Sequence, residues 1–167
     1  MAIRFRCPLA VLALVAAGAC AAQTCSSPIV VTEGLMPVYG TCEASNSLPM
    51  IGTINSPQND VVYSFSLTPA IGGHITVSVA DFDGAAFLLP APCGPETEPV
   101  QAAEILPGSS SEFSLTGRPP GTYFLVVTGT PLSPEWTCGH HQLEAVTFEV
   151  DLIFQDGFDG PSARRVE

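Results

Sequence analysis

VVYSFSL at residues 61–67 and HITVSV at residues 74–79 both carry a period of two, and that period decides the fold. Val61, Tyr63, Phe65 and Leu67 share one side of an extended chain, with Ser64 and Ser66 on the other. Ile75, Val77 and Val79 point one way, and His74, Thr76 and Ser78 the other. Alternation of this kind marks half-buried β-strands, because successive side chains of a strand face opposite ways. The Gly72-Gly73 pair between the two runs predicts a hairpin or tight connection.

Outward from this pair the pattern repeats. Residues 85–89 form a short apolar run closed by Pro90 and Pro92, and residues 112–115 put Phe113 and Leu115 on one face. TYFLVVT at residues 122–128 is apolar on both faces, which predicts a central strand covered on both sides. Residues 147–154 predict a strand with Phe148, Val150, Leu152 and Phe154 inward and Glu149 and Asp151 outward. Residues 29–32, 37–41 and 50–54 are weaker strands, and residues 100–106 read as one helical turn between Pro99 and Pro107. Frequent turn residues and no sustained helical period predict an all-β chain, an antiparallel β-sandwich of jelly-roll type with about eight strands.

The amino end has the form of a secretory signal: Arg4 and Arg6, an apolar run at residues 9–17, then small residues up to Ala22. The run is shorter than the roughly 20 residues a membrane-spanning helix needs. Removal of residues 1–22 is expected. Residues 23–47 then supply the first strands and a disulfide loop, forming one domain with a core over residues 48–154, and residues 155–167 form a tail. An alternative is lipidation at Cys20, after Ala17-Gly18-Ala19, which would hold the protein at the envelope.

Cys25, Cys42, Cys93 and Cys138 follow the signal. An even number in an exported chain predicts two disulfides. Of the three connectivities, Cys25–Cys42 with Cys93–Cys138 keeps the loops sequential. No pair has the close spacing of a zinc knuckle.

The chain has a formal net charge of −11, and no lysine. After the signal its only basic residues are Arg118, Arg164 and Arg165. Such a surface disfavours nucleic acid and anionic lipid, and it excludes Schiff-base and P-loop chemistry. No later stretch is long and apolar enough to be a transmembrane segment. A soluble monomer, secreted or periplasmic, is expected.

The order Asp60-Val61-Val62-Tyr63-Ser64-Phe65, Gly73-His74-Ile75-Thr76-Val77, Asp81-Phe82-Asp83-Gly84-Ala85 and Pro120-Gly121-Thr122-Tyr123-Phe124-Leu125-Val126-Val127 resembles the bacterial pre-peptidase C-terminal domain. The resemblance spans roughly residues 48–154 and rests on strand-pattern motifs. It implies a β-sandwich accessory module of secreted enzymes. Members serve in attachment or maturation, and some bind calcium or substrate polymer.

Three places carry candidate chemistry. Asp81 and Asp83 flank Phe82, and continued alternation from Val79 would bury both carboxylates, which is costly. A bend that turns Phe82 inward instead leaves the two carboxylates on a loop closed by Gly84. A calcium ion there needs six to eight oxygens, with Asp60 or Glu33 as helpers; an exposed acidic turn is the plainer reading. His140 and His141, beside Cys138, read as two solvated imidazoles on a loop that point apart. Trp136 offers either a stacking surface for a sugar ring or packing against the disulfide. There is no Gly-x-Ser-x-Gly elbow and no free thiolate, so no catalytic residue is assigned and an enzyme is not expected. The reading is a non-catalytic exported binding module without a required cofactor, with Trp136, His140 and His141 its ligand-binding candidates. Its partner would be an extracellular polymer or protein. A structural envelope protein and a small hydrolase or protease inhibitor are the alternatives.

Overall fold

The structure is a computed structural model, and it describes residues 23–68, 71–130 and 137–149. Twelve strands occur among the described residues, five of them only two residues long. These are β1 (Ile29–Val30), β2 (Gly34–Leu35), β3 (Tyr39–Gly40), β4 (Met50–Ile51), β5 (Ile54–Asn55) and β6 (Asp60–Leu67). They continue as β7 (Ile71–Val79), β8 (Gly84–Pro90), β9 (Gln101–Ile105), β10 (Ser110–Ser114), β11 (Gly121–Gly129) and β12 (His140–Glu149). No helix occurs among the described residues, so the chain is all-β.

Two sheets carry the fold. The first has the order β1-β6-β11-β8-β9, and the second β10-β7-β12-β2, with β3 also paired to β12. All pairings are antiparallel except β1 with β6. Val61, Tyr63, Leu88, Leu125 and Val127 from the first sheet meet Ile75, Val77, Phe113, Leu143 and Ala145 from the second in one buried cluster. Each aliphatic side chain fully withdrawn from water contributes about 1.5–3 kcal/mol.

The outer faces of the sheets differ, and this explains two sequence patterns. The outer face of the first sheet is covered by the amino-terminal segment. Leu48 and Ile51 pack there on Val62, Ala85, Phe87, Leu89 and Val126. Strands β6, β8 and β11 therefore need apolar residues on both faces, and β11 is central and covered as its composition predicts. Strand β7 keeps strict alternation because its outer face meets solvent: His74 and Thr76 are half-buried and Ser78 is exposed. The His74 Nε2 lies 3.9 Å from Glu112 Oε2 on the neighbouring β10. Asp60 pins the cover in place. It is 1 % exposed, and its carboxylate accepts from the backbone N–H of Ser47 (2.7 Å) and Leu48 (2.8 Å) and from the Ser47 hydroxyl.

Four expectations are corrected. The disulfides are Cys25–Cys93 and Cys42–Cys138, not Cys25–Cys42 and Cys93–Cys138. Cys25 and Cys93 sit together against the outer face of the first sheet, whereas Cys42 follows β3, which pairs with the start of β12 just after Cys138. Nearness along the chain is a poor guide when most strand pairings are long-range.

Strands β6 and β7 form no hairpin, because they belong to opposite sheets. Gly72 and Gly73 lie inside β7, opposite Phe148 and Thr147. At Gly73 φ is +142° and a Cβ would stand 2.1 Å from the Val146 carbonyl oxygen, so glycine serves close backbone approach rather than a turn.

Residues 100–106 contain strand β9, paired to β8, instead of a helical turn. Pro99 and Pro107 bracket an edge strand, where a missing N–H is tolerated. The last predicted strand begins earlier, at His140; among its described side chains His141, Leu143 and Ala145 are buried, and the side chains of Phe148 and Glu149 lie outside the described residues. Residues 1–22 with Cys20, Trp136 and residues 150–167 lie outside the described residues.

Candidate functional site

Three connections converge at one end of the sandwich: the segment after β3, the β7–β8 turn and the residues leading into β12. The first and third are locked together. Thr41 donates its N–H to the Gly139 carbonyl at 2.9 Å, and Gly139 donates to the Thr41 hydroxyl at 3.0 Å. One residue further along, the Cys42–Cys138 disulfide closes at a Cα–Cα distance of 5.0 Å. The second connection is tied to the third by Asp81. Its carboxylate accepts from the His140 backbone N–H at 2.7 Å and lies 3.0 Å from His140 Nδ1. The Ala80 N–H donates to the His140 carbonyl at 2.9 Å.

The expected bend after Val79 accounts for this placement. Phe82 turns inward and is buried, which leaves Asp81 and Asp83 exposed. Gly139 makes room for the contact, since a Cβ there would meet Asp81 Oδ1 at 2.3 Å and the Phe82 ring at 2.7 Å. The hydrogen bond from His140 holds the Asp81 carboxyl below the usual carboxylate range. Reciprocally, the Asp81 hydrogen bond and charge, with a smaller contribution from Glu43, hold His140 above the usual imidazole value. Both side chains remain more than half exposed, at 58 % for His140 and 54 % for Asp81, so the pair orients the turn more than it stabilises the fold.

His141 takes the opposite direction and corrects the expectation of two solvated imidazoles on a loop. Both histidines belong to β12, and His141 is 1 % exposed. Its Nε2 lies 2.6 Å from Tyr63 Oη, a hydrogen bond that joins the two sheets inside the core. Tyr39 packs edge-on against Tyr63 at 5.8 Å. Burial lowers the His141 pKa to about 4 and raises that of Tyr63, so the pair is a neutral imidazole and a phenol. His141 is thus a structural residue, withdrawn from any surface ligand.

Two residues singled out separately in the sequence, Asp81 and His140, meet here. Others do not. The Asp83 side chain is exposed and makes no hydrogen bond with Asp81 or His140, and its carbonyl accepts from the Thr130 N–H at 2.9 Å. Asp60 is committed to the cover segment and Glu33 lines the open side of the sandwich, so the oxygens imagined for calcium lie in separate places. Among the described residues no group of three or more His, Cys, Asp and Glu side chains is arranged to hold a metal ion. Trp136 lies outside the described residues. The Thr41–Gly139 clasp and the Tyr63–His141 bond were missed. A signal for the second was present, since His141-x-Leu143-x-Ala145 continues an inward parity.

These features define an all-β, doubly disulfide-bonded sandwich with one braced loop end. No protein-family model matches the chain, and no curated protein matches it. Among solved structures it is similar to PliG of Aeromonas hydrophila, a periplasmic lysozyme inhibitor of g-type lysozyme, at 8 % identity and a TM-score of 0.44. That match covers 74 % of this chain and 96 % of the other. So distant a likeness carries nothing over to this chain.

Proposed function

We propose that the protein is a non-catalytic binding module that works outside the cytoplasm and meets a polymer or protein partner through its braced end. The supporting observation is the bracing itself. One disulfide, the Thr41–Gly139 hydrogen bonds and the Asp81–His140 pair fix three connections to one another on a rigid scaffold. Loops held in this way lose little conformational entropy on binding, which is how a small contact surface gains affinity. Two disulfides suit an oxidising compartment, and the strongly acidic composition suits solubility there. The strand-pattern resemblance to the pre-peptidase C-terminal domain belongs to the same reading, in which the chain is an accessory module.

The test is retention on a panel of insoluble polysaccharides and immobilised extracellular proteins, with Asp81→Ala and His140→Ala beside the parent. Retention that falls in both variants while their melting temperatures hold supports the reading. Retention by none of the panel, or retention indifferent to both changes, removes the braced end as the contact surface.

The same bracing supports a second reading, inhibition of a secreted hydrolase or protease, because an inhibitory loop must resist deformation in its target's cleft. Dose-dependent inhibition in a panel of secreted hydrolases and proteases distinguishes it.

A further inference from the structure

The two long sides of the sandwich are not alike. On the side of β9 and β10 the sheets are clasped. The Gln101 amide donates to the Glu112 carbonyl at 2.8 Å, and Arg118 donates to the Ser114 carbonyl and, at 2.8 Å, to Gln101 Oε1. On the opposite side the sheets part, and a groove of about 400 Å³ runs between them. The connector between β1 and β2 crosses this seam from one sheet to the other, and Val31, Thr32 and Glu33 on it line the groove.

The groove has an apolar floor and polar banks. Phe65 and Leu67 from β6, Ile75 from β7, Leu115 and Ala145 form the floor, and Thr32, Glu33, Ser66 and Thr147 stand along the banks. Among the described residues, both banks include strand edges without a neighbouring strand. Strand β1 pairs with β6 only at Tyr63 and Ser64, and among the described residues no strand pairs with β6 beyond Ser64 on that side. Strand β2 pairs with β12 only at Glu144 and Ala145, and among the described residues no strand pairs with Val146 and Thr147 on the side away from β7. Val30 at the mouth is 67 % exposed.

From this juxtaposition we infer that the open seam is a docking groove for an extended, basic peptide segment of a partner protein. An extended chain is the ligand whose backbone can hydrogen-bond a free strand edge while alternate side chains enter an apolar floor. The volume lies within the usual range for binding clefts, roughly 300–1,000 Å³. The sign of the partner's charge follows from the surroundings. Glu33 is the only charged side chain among the described lining residues, and the described part of the chain holds one arginine, Arg118, which is occupied on the far side. The groove is separate from the braced end and does not depend on the reading given to that end.

The experiment uses the full mature chain and two hexapeptides, one of alternating valine and lysine and one of alternating valine and glutamate, followed by amide shifts in two-dimensional NMR. The lysine peptide is expected to move resonances of residues 30–33, 64–67 and 145–147 and to bind about tenfold or more tightly than the glutamate peptide. Glu33→Lys, a change at an exposed position, should reverse that preference without altering the melting temperature. Absence of shifts at millimolar peptide, shifts located elsewhere, or equal affinity for both peptides overturns the inference. So does binding that appears only after residues 150–167 are removed, since the groove would then belong to the chain's own carboxyl-terminal segment.

Discussion

His141 and Asp60 are both ionisable and both buried, and acid acts on them in opposite senses. The folded protein disfavours charge on His141, lowering its pKa from 6.5 to about 4. Its contribution to stability is therefore complete above the unfolded value and lost as pH falls from 6.5 towards 4. The full effect of such a shift is about 3 kcal/mol. Asp60 is also penalised for its charge, chiefly by desolvation, although its three hydrogen bonds oppose this. Its folded pKa is raised, so its ionisation costs stability as pH rises through the carboxylate range, and acid relieves that cost. Denaturant unfolding at pH 7.5 and pH 4.5 separates the two. The loss on acidification should be about 2–3 kcal/mol smaller in His141→Gln than in the parent. Asp60→Asn should instead keep or enlarge it. An acid response identical in parent and His141→Gln would show that the imidazole is not the group being charged.

Among the elements, the turn between β7 and β8 and the start of β12 make one unit, coupled by the absence of a side chain at Gly139. Gly139→Ala places a methyl group where the Asp81 carboxylate lies, so the carboxylate must leave. The expected result is a His140 pKa that falls back towards 6.5, read by NMR titration of the imidazole carbon-bound protons. An unchanged His140 titration would mean that the pair survives by moving together.

Element identity was largely legible in the residues, and element partnership was not. Alternation in residues 61–67 and 74–79 depends on a local steric rule and gave both strands correctly. The Gly72-Gly73 pair has two physical uses, reversing the chain or admitting a neighbouring backbone, and composition does not choose between them. The residues of strand β9 also suit a helical turn because its alanines satisfy either conformation, and the ladder with β8 sets its state. At the site, Asp81 with His140 could not be paired in advance, because the contact spans the sheet register between Val79 and His141. Burial of Phe82 could be anticipated, since the alternative hides two carboxylates.

For the whole molecule, the described segment ahead of β6 forms a third layer on the sandwich. It covers the apolar outer face of the first sheet and is fastened by Cys25–Cys93 and by Asp60. The disulfide closes a sequence separation of 68 residues, worth about 4 kcal/mol in the chain-entropy account. Replacing both cysteines by alanine should lower the unfolding free energy by roughly that amount while strand content by circular dichroism persists. It should also increase binding of a hydrophobic dye, because Phe87, Leu89 and Val126 lose part of their cover. Loss of all strand signal would instead show that the sheets cannot form without the outer layer.

The crossed bridges bear on biogenesis. In a chain threaded amino end first into an oxidant, Cys25 and Cys42 arrive before Cys93 and Cys138, and they are not mates; each must await a partner far downstream. Premature oxidation joins the wrong two, and only thiol exchange undoes the error. A host compartment equipped to shuffle such errors is therefore part of what this sequence demands of its surroundings, and recombinant yield should track that enzyme more closely than it tracks oxidising strength.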